Sequence, residues 1–363
     1  MSSRRCEVAW FAALCDDDYE FLGVSDPVLR SSWSHCRDIV LRAQHNGFDN
    51  VLLPSGYELG IDATAFAAGI APELATTSMQ ALLAVRCGEL WPPQLARQLS
   101  SIDQMLGGRL TVNIISSDLP GAPMASGPRY RRTSEVIDIL RTLLDGRSLH
   151  VDGEHYSLDI KAPSAQPVAR RCPPFYFGGL SDDARECAAK GADVYLMWPD
   201  TMIAVAAIIR DMQARAARQE RTIRFGYRVH VVVRESESQA RAAADRLLSR
   251  LDANVGEAIR RQSLDASSEG VRRQAELSDA AKANDGWAEA NLWTGIARAR
   301  SGCGAAIVGD PDQVLSKLRD YQELGIEAFV LSGYPHADEC DLFARHVLPH
   351  LDHGPLFPTD ATT

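Results

Sequence analysis

Short, largely apolar runs alternate along this chain with longer stretches whose apolar residues recur at helical spacing, which predicts strand and helix in turn. Val8–Leu14 reads as a strand and Trp33–Asn46, beyond a polar loop, as an amphipathic helix. Strand Asn50–Pro54 leads to helix Ala63–Ala71, strand Met79–Arg86 to helix Pro93–Leu106, and strand Leu110–Ser116 to helix Tyr130–Leu144. Pro92-Pro93 and Gly107-Gly108 are start and stop signals for the third of these helices. Asp152-Gly153, set between Ser148–Val151 and Glu154–Leu158, predicts a tight hairpin. The alternation resumes with strand Pro174–Gly178 and helix Asp182–Lys190, strand Asp193–Trp198 and helix Met202–Arg218, then strand Arg224–Arg234 and helix Glu237–Leu251. Helix Asp312–Leu324, strand Ala328–Gly333 and helix Glu339–Val347 close the series, and the tail Pro355–Thr363 reads as frayed.

Eight strand–helix units without a linker predict an α/β fold, a (β/α)8 TIM barrel, as a single domain over 1–363. A polar segment at about 252–300 breaks the pattern after the seventh strand and reads as a long mobile lid. A doubly wound open sheet is the rival, but no Gly-x-Gly-x-x-Gly follows the first strand. In a barrel of this kind, active sites sit at the C-terminal ends of the strands.

Composition narrows the partners. A net charge of −10 weighs against nucleic acid, and no apolar stretch is long enough to span a membrane. The first residues hold two arginines and no apolar core, so no secretory leader is expected. Eight scattered cysteines without a Cys-x-x-Cys pair point to reduced thiols in the cytoplasm, with no metal and no disulfide framework.

Costly polar groups mark where chemistry could lie. Arg228 and His230 interrupt the apolar run Phe225–Val233, and strand alternation points both the same way. Tyr334 and His336 follow Phe329–Gly333 and are expected to share a side in the same manner. Phe177-Gly178-Gly179-Leu180-Ser181-Asp182 joins a strand end to a helix start, which suits either a phosphate cradle or an ordinary tight turn capped by Ser181. Arg298 and Arg300 stand beside Gly302 and Gly304, where an arginine could close over an anion. Trp198 ends its strand as a pocket wall or as packing, and Asn113 places an amide in an apolar strand.

At these residues the chain resembles the luciferase-like flavin monooxygenases, most closely the FMNH2-dependent alkanesulfonate monooxygenases. The resemblance runs from Trp10-Phe11 to the closing helix. Its most specific pieces are Pro174–Gly179, Phe225–Glu235, Asn291-Leu292-Trp293, Val308-Gly309-Asp310 and Leu331–His336. It implies a two-component monooxygenase that takes reduced FMN from an NAD(P)H-dependent flavin reductase and activates O2 as a peroxyflavin. The reaction it implies is oxygenation of a small anionic organosulfur compound, most simply desulfonation to an aldehyde and sulfite. It further implies that Arg228 and Arg300 bind the sulfonate, Arg300 on closure of the lid, with Trp198 lining the substrate side. His230 would transfer a proton, Tyr334 would donate to flavin or substrate, and His336 would orient them. Asn113, Tyr130, Gly178, Gly179, Leu180 and Ser181 would hold FMN, in a homodimer or homotetramer.

The chain departs from that pattern at Cys15, at Leu59-Gly60-Ile61-Asp62 in place of a Cys-containing run, in a shortened Ser116–Arg129, at Gly127-Pro128-Arg129-Tyr130 and at Leu180-Ser181. These positions cluster at the substrate mouth and the flavin edge and weigh against simple alkanesulfonates. Other acidic or carrier-bound metabolites, a deazaflavin-dependent dehydrogenase and a flavin-binding subunit without turnover are the alternatives. With His230 as base, the acid limb of kcat/KM is expected in the ordinary imidazole range, ~6–7.

Overall fold

The computed structural model describes residues 5–58, 60–261, 268–300 and 302–359; Leu59, Ser301 and part of the 252–300 segment lie outside the described residues. Strands β1 (Glu7–Phe11), β2 (Asn50–Leu53), β3 (Gln80–Arg86) and β4 (Leu110–Ile115) are followed by a hairpin, β5 (Leu149–Asp152) and β6 (Ser157–Ile160). After β7 (Phe175–Phe177), β8 (Val194–Met197) and β9 (Arg224–Val233) come β10 (Trp287–Glu289), β11 (Leu292–Trp293), β12 (Ala306–Gly309) and β13 (Ala328–Ser332). Parallel pairing runs β1-β2-β3-β4-β7-β8-β9-β13 and returns to β1, closing the eight-stranded barrel that the alternation predicts.

Helices α1 (Trp33–His45), α2 (Ala63–Leu74), α3 (Pro92–Met105), α4 (Ser126–Leu144), α5 (Asp182–Gly191), α6 (Met202–Arg218) and α7 (Glu237–Leu248) follow successive strands. In the insertion come α8 (Ala253–Arg261) and α9 (Glu269–Ala281), and beyond it α10 (Pro311–Leu324) and α11 (His336–His346). No helix among the described residues is long and apolar enough to cross a membrane. Alternate strand residues such as Val8 and Trp10 pack outward into the core shared with the helices. Their neighbours Ala9 and Phe11 join Leu52, Leu82, Tyr176 and Val330 inside the barrel. Burial on both faces is why the strands read as continuous apolar runs.

The inside of the N-terminal mouth is polar. Glu7 accepts from Tyr176 Oη (2.8 Å), Asn50 Nδ2 (3.3 Å) and the Leu356 N–H (3.0 Å), and Gln80 Nε2 donates to the Phe357 carbonyl (2.7 Å). The tail expected to fray thus plugs the barrel floor through residues 355–359; residues 360–363 lie outside the described residues. The insertion expected as a lid is built of regular elements. Besides α8 and α9 it contains β10 and β11, an antiparallel annex that β12 joins to β9. The hairpin turn is not the tight Asp-Gly turn expected, because Asp152 pairs with Ser157. The Glu135 carboxylate holds the wider loop by accepting from the N–H groups of Glu154, His155 and Tyr156.

Candidate active site

Strand β9 runs along β8 in its first half and along β12 in its second, with β13 on its other edge. This register sets His230 beside both Ala306 and Ser332, and Arg228 beside Val330. Both polar side chains reach the Ser332 hydroxyl: Arg228 Nη2 donates to Oγ (2.8 Å), and His230 Nδ1 lies 2.7 Å from it. Arg228 Nη1 donates to the Val229 carbonyl (3.1 Å), and its guanidinium lies 4.3 Å from the Phe11 ring centroid. A buried guanidinium with neutral hydrogen-bond partners is the central electrostatic fact of this cluster.

Tyr334 stacks on His230 (5.0 Å between centroids) and meets His336 edge-on (5.2 Å). They do not arrive there by strand alternation. β13 ends at Ser332, Tyr334 lies in the following turn, and His336 opens α11 three residues before the expected helix start. Arg300 Nη1 donates to both Tyr334 Oη and Asp17 Oδ2, each at 2.7 Å, so the insertion already seats this arginine in the cluster. His336 donates its backbone N–H to Asp18 Oδ1 (2.9 Å) and holds Nδ1 3.2 Å from the same oxygen; His35 Nε2 lies 2.9 Å from Asp18 Oδ2.

Burial, then the charges of Arg228 and Arg300, push His230 well below the ordinary imidazole pKa. This corrects the expectation of an acid limb in the ordinary range. His336 is also lowered, by burial against the pull of Asp18, while burial raises the Tyr334 phenol against Arg300. His230 Nε2, His336 Nε2 and Arg300 Nε are buried without a hydrogen-bond partner among the described residues.

At the C-terminal ends of β4, β7 and β8 lies a cavity of about 440 Å³ lined by Asn113, Tyr130, Gly178, Gly179, Leu180, Ser181 and Trp198. A Cβ at Gly178 would fall 2.2 Å from the Leu196 carbonyl oxygen; one at Gly179, where φ is +148°, would fall 2.7 Å from Ala184 Cβ. Only bare backbone fits this turn, and Tyr195 Oη donates to the Gly179 carbonyl to fix it. Ser181 then caps α5 by accepting from the Ala184 N–H. Trp198 borders the cavity rather than the guanidinium cluster, and its ring rests against Gly270 and Gly302 of the insertion. Arg273 pairs with Asp200 through two bonds (2.6 and 2.7 Å), holding α9 over this side.

Several residues of this region escaped the sequence reading. Asp17 and Asp18 belong to an acidic run just beyond β1, a legible signal once a barrel is expected. Arg86 ends β3 much as Arg228 interrupts β9; it is 5% exposed, with Nε and Nη1 unpartnered among the described residues. Arg129 and Ser116 line the cavity next to the predicted Tyr130.

The sequence profile of the luciferase-like monooxygenases matches residues 21–328. The chain belongs to that family. This luciferase-like enzyme is 63% identical over 363 residues (98% of its length, 99% of the relative's) to a sulfoquinovose monooxygenase of Novosphingobium aromaticivorans. It is 49% identical over 347 residues (95% and 89%) to a sulfoquinovose monooxygenase of Agrobacterium fabrum. Among solved structures, the EDTA monooxygenase of Chelativorans sp. BNC1 shares its fold at TM-score 0.75 and 16% identity, covering 96% of this chain and 93% of that one. A riboflavin lyase does so at TM-score 0.78 and 14% identity, covering 98% and 94%. The luciferase-like protein is a flavin-dependent monooxygenase.

Proposed function

We propose that this monooxygenase uses reduced FMN and O2 to desulfonate sulfoquinovose or a closely similar sulfonated sugar, releasing sulfite and leaving an aldehyde on the carbon that carried sulfur. The observation that carries the reading is the buried Arg228 guanidinium with its neutral partners, set beside Arg300. A cation in such a place is costly until an anion completes it, and guanidinium forks match the oxygens of a sulfonate. The names of the two curated relatives supply the anion's chemistry: a hexose with a sulfonate on its terminal carbon.

The cavity suits FMN. Its Gly178-Gly179 turn is closed to any side chain, and the N-terminus of α5 with Tyr130, Ser181 and Arg129 offers donors to a phosphate, while Asn113 and Leu180 line the wall. Reduced flavin bound there supplies the electrons that divide O2 between product and water. Arg228 and Arg300 hold the sulfonate, and Arg300 keeps the Tyr334 hydroxyl in place as a donor toward an oxygen of the flavin or substrate. His230 stays a neutral imidazole whose Nε2 is free to hold or take a proton. The α9 segment and Trp198 cover the cavity and limit water. An NAD(P)H-dependent reductase supplies the reduced flavin, and eight free thiols fit a cytoplasmic setting.

The test is sulfite release from sulfoquinovose with FMN, NAD(P)H, O2 and a flavin reductase. Sulfite from wild type is the expected result. A broad sulfonate panel without sulfite, from protein that binds reduced FMN tightly, sinks the reading.

A further inference from the structure

We infer that His336, Asp18 and His35 form a proton conduit between the floor of the active site and the protein surface, a role that rests on the function proposed above. His336 is fully buried, and its Nε2 has no hydrogen-bond partner among the described residues. The Phe11 ring (5.7 Å) and the Tyr334 ring (5.2 Å) pack against the imidazole, and its polar contacts are with Asp18. Asp18 is itself buried and divides its two oxygens. Oδ1 takes the N–H groups of Tyr19 (2.9 Å) and His336 (2.9 Å) and lies 3.2 Å from His336 Nδ1; Oδ2 lies 2.9 Å from His35 Nε2. His35, near the start of α1, keeps 13% of its side chain exposed. One carboxylate therefore joins a sealed imidazole to one that meets water.

The charges along this line make it a carrier. His336 faces Asp18, Asp17, Arg228 and Arg300, and Asp18 faces His336 and His35. Burial favours a neutral Asp18, but the two histidines outweigh it and keep the carboxylate ionised. A proton arriving at His336 Nε2 releases the one on Nδ1 to Asp18 Oδ1. Rotation of the Asp18 carboxyl about Cβ–Cγ turns that same proton toward His35, where a neutral imidazole carrying its proton on Nδ1 takes it on Nε2 and gives the Nδ1 proton to solvent. One proton enters and one leaves, no electrons move, and the reverse sequence serves uptake. His336 is thus more than an orienting group, while Asp18 and His35 act through it as positioning and transfer residues.

The test is kcat for sulfite release by His35→Ala and His35→Gln in weak buffer, with and without free imidazole. In His35→Ala, kcat is expected to fall about tenfold at unchanged KM and to be restored saturably by imidazole. His35→Gln, which keeps an N–H toward Asp18 and cannot relay, is expected to be as slow. Wild-type kcat in His35→Gln, or a loss in His35→Ala that imidazole leaves in place, overturns the conduit. A second arm needs no turnover: in side-chain ¹⁵N spectra of the protein alone, the His336 titration should be displaced in Asp18→Asn and in His35→Gln. A His336 titration that neither change moves overturns the conduit even if no sulfonate yields sulfite, the outcome that instead defeats the proposed function.

Discussion

At the floor of the barrel, Glu7 is wholly buried, yet Tyr176, Asn50 and the Leu356 N–H all donate to it. At the opposite mouth, Arg228 has neutral partners, and among the described residues His230 Nε2, His336 Nε2, Arg300 Nε and two nitrogens of Arg86 have none. Among the described residues, the floor leaves the amide oxygen Gln80 Oε1 unanswered. Both ends carry the desolvation cost of buried polar groups, but the mouth recovers less of it within the described chain than the floor does. A buried polar group answered by its own chain belongs to the architecture; one left open is where a ligand is expected to complete it.

The largest effect expected from this contrast is on Arg228→Met. Removing a cation that the folded chain does not neutralise should leave Tm unchanged or raise it, as replacing buried charges with apolar groups often does. The same change should lower kcat/KM for a sulfonate by ~10²-fold or more, since it removes charge complementarity in a dry site. A large fall in Tm with kcat/KM intact would reverse the assignment of the two ends. At the floor, Glu7→Leu should do the opposite. It strands the Tyr176 hydroxyl, the Asn50 amide and the Leu356 N–H, costing about 3 kcal/mol in urea unfolding while kcat per folded molecule holds.

How much of this contrast could be read beforehand depends on where each residue sits. Arg228 and His230 were visible because they stand inside an apolar strand, where any charge is anomalous. The Gly178-Gly179 turn was visible for a similar reason, because glycines at a strand end ask for close backbone approach. Asp18 was not, since an acid in a loop is ordinary, and only barrel closure brings it to His336, 318 residues away. β10 and β11 span three and two residues, too short for a periodic signal. Leu356 and Phe357 looked like an idle terminus because the barrel floor they fill is assembled from distant strands.

The finest expected effect is the pH dependence of the open end. His230 is depressed by burial first and then by Arg228, Arg300 and His336. Each nearby positive charge opposes protonation, so the acid limb of kcat/KM, which reports free enzyme, should lie below the ordinary imidazole range. A bound sulfonate offsets those cations, so the limb in kcat should sit higher than the limb in kcat/KM. Arg228→Met removes one repulsion and should move the kcat/KM limb upward as well, toward the imidazole range. Profiles of kcat and kcat/KM for wild type and Arg228→Met decide it. A limb that stays in place in Arg228→Met, or that survives in His230→Ala, assigns the titration to another group.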